Sequence, residues 1–348
     1  MERIALVQKH QWKEIQMTKT AKIVRFHQTG GPEVLRIEDL PIPEPGKGEV
    51  RLRVKAIGLN RAEVMFRSGR YLVNPVLPSK LGYEASGIVE AVGPGVDPTL
   101  LGRTMSSVPA FPADVYGVYG EVAILPSYAL AAYPSKLSFE EGTSIWMQFL
   151  TAYGALVHFG RIGKGDHVLI TAASSSVGIA AIEIAKVEGA VAIATTRSAA
   201  KKRELLAVGA DHVIVTDGED LVARIKEITG GKGARVIFDP IAGPGLESLA
   251  MAAGEGGTIF LYGALAKEPT VYPLFTALSK HLIIQAYTLF QIVGNPKLRE
   301  QAERYVYKHI EAGAFVPRID KTFPLAQIVE AHRYMESNQQ IGKIVVTV

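Results

Sequence analysis

The stretch His167-Val168-Leu169-Ile170-Thr171-Ala172-Ala173-Ser174-Ser175-Ser176-Val177-Gly178-Ile179-Ala180-Ala181-Ile182-Glu183-Ile184-Ala185-Lys186 decides how the rest of the chain is read. An apolar run of buried-strand length meets a turn of small residues, and an apolar helical pattern begins at once. After Gly189 comes a second short strand pattern, Val191-Ala192-Ile193-Ala194-Thr195. Strand, tight turn, helix and strand form the opening unit of a dinucleotide-binding fold, in which amides at the helix N-terminus hold a pyrophosphate. The usual fingerprint asks for glycines. Here Gly178 occupies such a place, and Ser174, Ser175, Ser176 and Val177 fill the turn before it. Alone, such a turn suits any strand-to-helix corner. Its weight comes from the flanking chain, where strand patterns at 167–171, 191–195, 212–215, 234–238, 257–262 and 282–287 alternate with helical ones. Six strands joined by crossover helices predict an α/β fold with a doubly wound parallel sheet.

Upstream, residues 17 to about 145 are rich in Gly, Pro and short β-like runs, at 22–26, 35–39, 49–57, 87–92 and 120–124. Turn clusters such as Pro41-Ile42-Pro43-Glu44-Pro45-Gly46 separate them, which predicts a mostly β domain, a partly open barrel. Downstream, the pattern gives helices at about 296–312 and 325–336 and a last strand at 343–348. That return to the first style predicts a cofactor domain over 146–288 inserted in a catalytic domain made of 17–145 and 289–348. Residues 1–16 carry no clear period and are expected to stand outside the fold.

The bulk composition excludes several function classes. The chain has 348 residues, 48% apolar and 21% charged, with a net charge of only +4 and scattered basic residues. Nothing in that balance suits nucleic acid or a membrane surface. No apolar run reaches the roughly 20 residues that span a bilayer. There is no cysteine, so disulfides, thiolate catalysis and cysteine-ligated zinc are ruled out. A cytoplasmic location is expected.

The end of the second strand selects the dinucleotide. An NAD site usually places Asp or Glu there to hold the ribose 2′-hydroxyl. This chain has Thr195-Thr196-Arg197-Ser198, with Lys201 and Lys202 behind. A carboxylate would repel a 2′-phosphate, whereas a guanidinium grips it in bidentate fashion. The expected cofactor is NADPH, held by Ser174, Ser175, Ser176, Val177, Gly178, Thr196, Arg197, Ser198 and Lys201. A solvated basic helix start is the plainer alternative for the lysines. Gly243, after the fourth strand, and Leu261, Tyr262, Gly263 and Ala264, at the end of the fifth, fall on the ligand edge of a parallel sheet.

The segment Leu81-Gly82-Tyr83-Glu84-Ala85-Ser86-Gly87-Ile88-Val89-Glu90-Ala91-Val92-Gly93-Pro94-Gly95-Val96 resembles the medium-chain dehydrogenase/reductase signature. Leu150-Thr151-Ala152-Tyr153-Gly154-Ala155-Leu156, Phe260-Leu261-Tyr262-Gly263-Ala264 and Ile341-Gly342-Lys343-Ile344-Val345-Val346 are similar to further landmarks of that superfamily. Within it the chain looks most like the zinc-free quinone oxidoreductase, ζ-crystallin-like branch. The resemblance implies a six-stranded Rossmann sheet inserted in a GroES-like domain. It also places Gln148, Thr151 and Lys343 among the cofactor contacts.

In the alcohol dehydrogenase branch a cysteine and the histidine of a Gly-His-Glu triplet hold zinc. The matching positions here are Asn60 and Tyr83, so no metal is expected. The resemblance puts Asn60, Glu63 and Tyr71 around the nicotinamide end as catalytic candidates. Tyr71 can donate to a carbonyl as negative charge grows on its oxygen, and Asn60 can do likewise. Alternatively, Asn60 caps a helix starting at Arg61 and Tyr71 anchors a loop. Tyr287, Thr288 and Phe290 are apolar enough to line an acceptor pocket or a subunit contact. The expected activity is hydride transfer from NADPH to quinones or similar activated carbonyls. An enone or enoyl double-bond reductase is the alternative enzyme. A non-catalytic NADPH-binding protein, crystallin-like or RNA-associated, is the alternative of another class. A homodimer is expected through the apolar edge strand near 281–287.

Overall fold

The computed structural model describes residues 19–348; the extension expected over 1–16, with residues 17 and 18, lies outside the described residues. A six-stranded sheet runs in the spatial order His212–Val215, Val191–Thr196, His167–Ile170, Ala234–Asp239, Ala253–Leu261, Ile283–Ala286. Every pairing in it is parallel. The strand order is therefore 3-2-1-4-5-6, and the winding reverses between the first and fourth strands, where such sheets open a ligand crevice.

Buried parallel strands read as continuous apolar runs because both faces are covered. Val168 and Ile170 of the first strand enter one core and Leu169 the other. Val236 and Phe238 of the fourth strand alternate with Ile237 in the same way. Each such side chain, fully buried, contributes roughly 1.5–3 kcal/mol. The fifth strand begins at Ala253, ahead of its expected start at 257. Its first residues, Gly254-Glu255-Gly256-Gly257, look like a turn in sequence, and the pairing with the fourth strand shifts register there.

The β lobe is organised by the strand Glu49–Gly58, which pairs antiparallel with Glu84–Val92, with Val122–Pro126 and with the C-terminal strand Lys343–Thr347. Val50, Leu52 and Val54 point into its core. A strand absent from the sequence reading, Ile319–Pro324, pairs parallel with Lys343–Thr347. The last strands of the tail thus join the β lobe. Helix Pro296–Glu311 buries Ala302, Val306 and Ile310 in the same core as Val168 and Ile182, and Phe315 stacks on Phe149 with centroids 4.8 Å apart. These contacts lie beyond the expected boundary at 288, in a cluster that also takes in Val108 and Ala131 of the β lobe. An amphipathic pattern reports that a helix has a buried face without saying which core receives it. No helix among the described residues is long and apolar enough to cross a membrane.

Candidate active site

The turn after the first strand is built without the usual glycines. Ala172 takes φ 46°, in the left-handed region that favours glycine. Ser175 begins the helix Ser176–Val187, its Oγ accepting from the Gly178 N–H at 3.0 Å. A Cβ at position 178 would lie 2.6 Å from the Ala173 Cα, so only glycine lets the helix sit this close to the strand end. With the Ser175 hydroxyl and the Gly178 N–H committed to the cap, the Ser176 and Val177 amides and the Ser174 and Ser176 side chains remain for an anion at this helix end.

At the end of the second strand Thr196 is buried, Arg197 and Ser198 are exposed, and Lys201 is half-buried. The Ser198 Oγ accepts from the Ala200 N–H. The Lys201 ammonium donates to the Ser174 Oγ at 3.1 Å and to the carbonyls of Asn338 and Gln340, both at 2.8 Å. The phosphate turn and the basic end of the second strand therefore share one charged side chain.

At the switch point Thr171 donates to Asp239, whose other oxygen accepts from the Ile241 and Ala242 N–H groups. These bonds tie the ends of the first and fourth strands. Tyr262 stacks on Phe238 with centroids 3.9 Å apart and stands beside Ser175. Leu261 ends the fifth strand and Ala264 is exposed just beyond it. Gly263 packs against the Pro240 carbonyl, where a Cβ would approach to 2.7 Å. Gly243 has φ 66°, and its N–H is already bonded to Thr270 Oγ1 at 2.9 Å. It shapes the turn, and its amide is not left for a ligand. On the helix Trp146–Tyr153, Gln148 is buried with its Oε1 unpartnered among the described residues. The Thr151 hydroxyl donates back to the Met147 carbonyl.

The other end of the cleft is a buried polar network. Asn60 precedes the helix Arg61–Arg67, and its N–H donates to Glu63. The Asn60 Nδ2 lies 3.2 Å from Glu63 Oε1 and 3.2 Å from Glu84 Oε2, while its Oδ1 accepts from the Lys343 ammonium at 2.6 Å. Lys343 also donates to Glu84, and this pair is almost wholly out of solvent. Glu84 Oε1 accepts from the Met147 N–H of the cofactor lobe at 2.8 Å. Direct contact was expected of Asn60, Glu63 and Lys343, and in the structure the three join with Glu84 in one hydrogen-bonded network. Asn60 and Glu63 use their polar atoms on one another and on neighbours, and the Lys343 ammonium goes to Asn60 and Glu84. The backbone beside Lys343 does reach that turn, through Gly342 N–H to the Ser174 carbonyl at 2.9 Å.

Burial raises the Glu63 carboxyl to about 7, against the pull of Lys343 and the Asn60 hydrogen bonds. A carboxyl raised on folding gives its full stabilisation below the unfolded value of 4.5 and loses it as pH rises through 7. Between about pH 5 and pH 8, unfolding free energy should therefore fall more steeply in the native chain than in Glu63→Gln, by up to about 3 kcal/mol. Urea melts at stepped pH measure this, and parallel curves would refute the assignment.

Two neighbouring phenols, Tyr71 and Tyr83, lie beside this network. Tyr83 is buried, with Phe111 and Phe290 rings at 6.0 and 6.1 Å, and Tyr71 is its neighbour. Burial raises both phenols, and Glu63 adds to it, so both hold their protons. Tyr287 does not line this region: it is buried against Gly154. Sequence reasoning overlooked Tyr83 as a neighbour of Tyr71 and Glu63, and Glu84 as the network's hub, although both stand in the Leu81–Val96 signature. It also missed the buried Tyr119, Arg67 and His332 behind Glu63, which gave no local signal.

The donors present do not fit zinc. Among the described residues no three His, Asp or Glu side chains cluster in metal-ligating geometry. The two matching positions hold a carboxamide and a protonated phenol, and the Lys343 ammonium already neutralises Glu84. The cleft does fit a dinucleotide: it offers a capped helix N-terminus, a basic second-strand end and the orphaned Gln148 oxygen where a carboxamide N–H can bond.

Two family models match, the alcohol dehydrogenase GroES-like domain over residues 46–135 and the zinc-binding dehydrogenase domain over residues 176–305. Human quinone oxidoreductase is 30% identical over 319 residues, covering 90% of this chain and 93% of that one. This chain belongs to the medium-chain dehydrogenase/reductase superfamily, in its quinone oxidoreductase branch. The Escherichia coli quinone oxidoreductase solved with NADPH superposes with a TM-score of 0.87 at 30% identity, covering 94% of this chain and all of that one (100%). A solved NAD-dependent alcohol dehydrogenase gives 0.85 at 34%, covering 94% and 99%. The name of the second family model includes a metal that the residues of this branch member do not fit.

Proposed function

We propose that this protein is a metal-free, NADPH-dependent reductase that passes a hydride to quinones or similarly activated carbonyl acceptors. The observation that carries the reading is the Asn60–Glu63–Glu84–Lys343 network, which fills with internally satisfied polar groups the ground where the alcohol dehydrogenase branch keeps its zinc. NADPH, when bound, supplies the hydride. The chain's own part is to bind the pyrophosphate at the Ser174–Gly178 turn, orient the nicotinamide against Gln148 and the end of the fifth strand, and exclude water. Tyr71 and Tyr83, as protonated phenols, donate to the acceptor oxygen as charge grows there. Asn60 and Glu63 position this end without touching the acceptor. In this reading the cofactor lobe extends to Phe315.

Steady-state oxidation of NADPH across quinones, enones and enoyl thioesters tests the assignment. The two neighbouring phenols also favour a second reading, reduction of an activated double bond, because a carbon that receives hydride leaves its neighbour in need of a proton.

Preference for NADPH rests on Arg197, exposed at a strand end that carries no carboxylate. A charged contact of this kind is worth roughly 1.5–3 kcal/mol, so Arg197→Ala should weaken NADPH binding about tenfold to a hundredfold and leave NADH nearly unchanged. Equal losses in a fluorescence titration would make Arg197 structural.

The proposal includes a homodimer. Ile283 on the edge strand and the nearby Leu274, Phe275 and Leu278 are exposed apolar residues, Phe275 at 83%, and an uncovered apolar edge invites pairing. Sedimentation should give twice the chain mass at micromolar concentration; a monomer there ends the idea.

A further inference from the structure

Residues 338–343 form a strap that runs from Lys201 and the phosphate turn to the Asn60–Glu84 network. At one end the Asn338 and Gln340 carbonyls receive two of the three N–H groups of Lys201, and the third goes to Ser174 Oγ of the phosphate turn. In the middle, the Ile341 N–H donates to Asp320 at 3.1 Å and the Gly342 N–H to the Ser174 carbonyl at 2.9 Å. At the other end the Lys343 N–H donates to the Arg318 carbonyl at 2.8 Å, and its side chain meets Asn60 and Glu84. Arg61 adds bonds to the Met335 carbonyl and the Asn338 side chain. Asn338 itself sits at φ 59°, a turn conformation held by these bonds. Lys201 is the only one of these partners that comes from the basic end of the second strand.

We propose that Lys201 is a positioning residue for acceptor reduction: by holding the Asn338 and Gln340 carbonyls, it sets the strap that carries Lys343 to Asn60 and Glu84. The inference rests on the proposed reductase function for the meaning of the hydride end. A 2′-phosphate arriving at Arg197 draws on the same ammonium, so its recognition is felt at the acceptor end, and the coupling runs both ways.

NADH separates this role from phosphate reading, since it carries no 2′-phosphate. Lys201→Met is compared with the native chain at saturating NADH, with a quinone as acceptor. Acceptor kcat/KM should fall about threefold or more, a size usual for changes within a coupling network. Amide hydrogen exchange at 341–343 should quicken in the free protein, while the melting curve stays cooperative. If NADH kinetics stay within about twofold, exchange is unaltered and the loss is confined to NADPH affinity, the proposal is overturned. Should the native chain oxidise neither cofactor, the proposed function fails, and the exchange measurement alone still decides whether Lys201 holds the strap. Lys201→Gln serves the same comparison if the methionine variant does not fold.

Discussion

Replacing Lys343 with methionine is expected to lower the unfolding free energy by about 3–5 kcal/mol, the usual consequence of removing one partner from a buried ion pair. Lys343 and Glu84 are both out of solvent, with side-chain exposures of 0% and 1%. Methionine keeps the length of the side chain and removes the charge, so the loss is electrostatic before it is steric. Glu84 would keep the Met147 N–H and the Asn60 Nδ2, too little to replace a cation. The double variant Lys343→Met with Glu84→Gln removes the stranded charge and should regain a large part of the loss, a non-additivity expected for groups in contact. Urea denaturation of the native chain, both single variants and the double variant measures it. A loss below about 1 kcal/mol for Lys343→Met would mean that the pair behaves as an exposed one, and the network could not be the rigid floor of the site.

The cofactor lobe was legible because its strands are buried on both faces, and each of the six patterns found its strand within a few residues. Where legibility failed, a local reason is visible. Thr104–Ser107 sets a single apolar residue, Met105, among small polar ones, and Ile319–Pro324 carries Asp320 and Lys321 in an otherwise short run; neither has the apolar signal of a strand. The site was legible in its residue types and less so in their orientation. Asn60, Glu63 and Lys343 do meet, but which way their polar atoms point depends on Glu84 and on chain separations of up to 283 residues. Lys201 illustrates the same limit. Its place behind Arg197 marked it for a phosphate, whereas its bonds to Asn338 and Gln340 cross 137 and 139 residues of sequence, and no local pattern encodes them.

With NADP+, ethanol and similar alcohols should be oxidised at least about a thousandfold more slowly than NADPH is oxidised by a simple benzoquinone. A plain alcohol must shed its hydroxyl proton as the hydride leaves, which calls for a Lewis acid or a base beside the oxygen. The side chains at this end supply no Lewis acid and no carboxylate with a free oxygen. Tyr71 and Tyr83 hold their protons because burial raises them, Glu63 is bonded to Asn60 and the Tyr83 N–H, and the Lys343 ammonium is spent on Glu84 and Asn60. Quinone reduction runs in the direction these groups favour, since a protonated phenol can donate to an oxygen that is gaining charge, and the ring itself stabilises much of that charge. Removing one donor should then slow the reaction without stopping it: Tyr71→Phe is expected to cost up to about a hundredfold in kcat, with NADPH affinity unchanged. Complete loss in a folded, NADPH-binding Tyr71→Phe would make the phenol an obligatory acid and move the assignment to double-bond reduction. Alcohol oxidation at a rate near that of quinone reduction would sink the metal-free reading, because the Asn60–Glu63–Glu84–Lys343 network offers no Lewis acid, and both Glu63 oxygens are already held by Asn60 and the Tyr83 N–H.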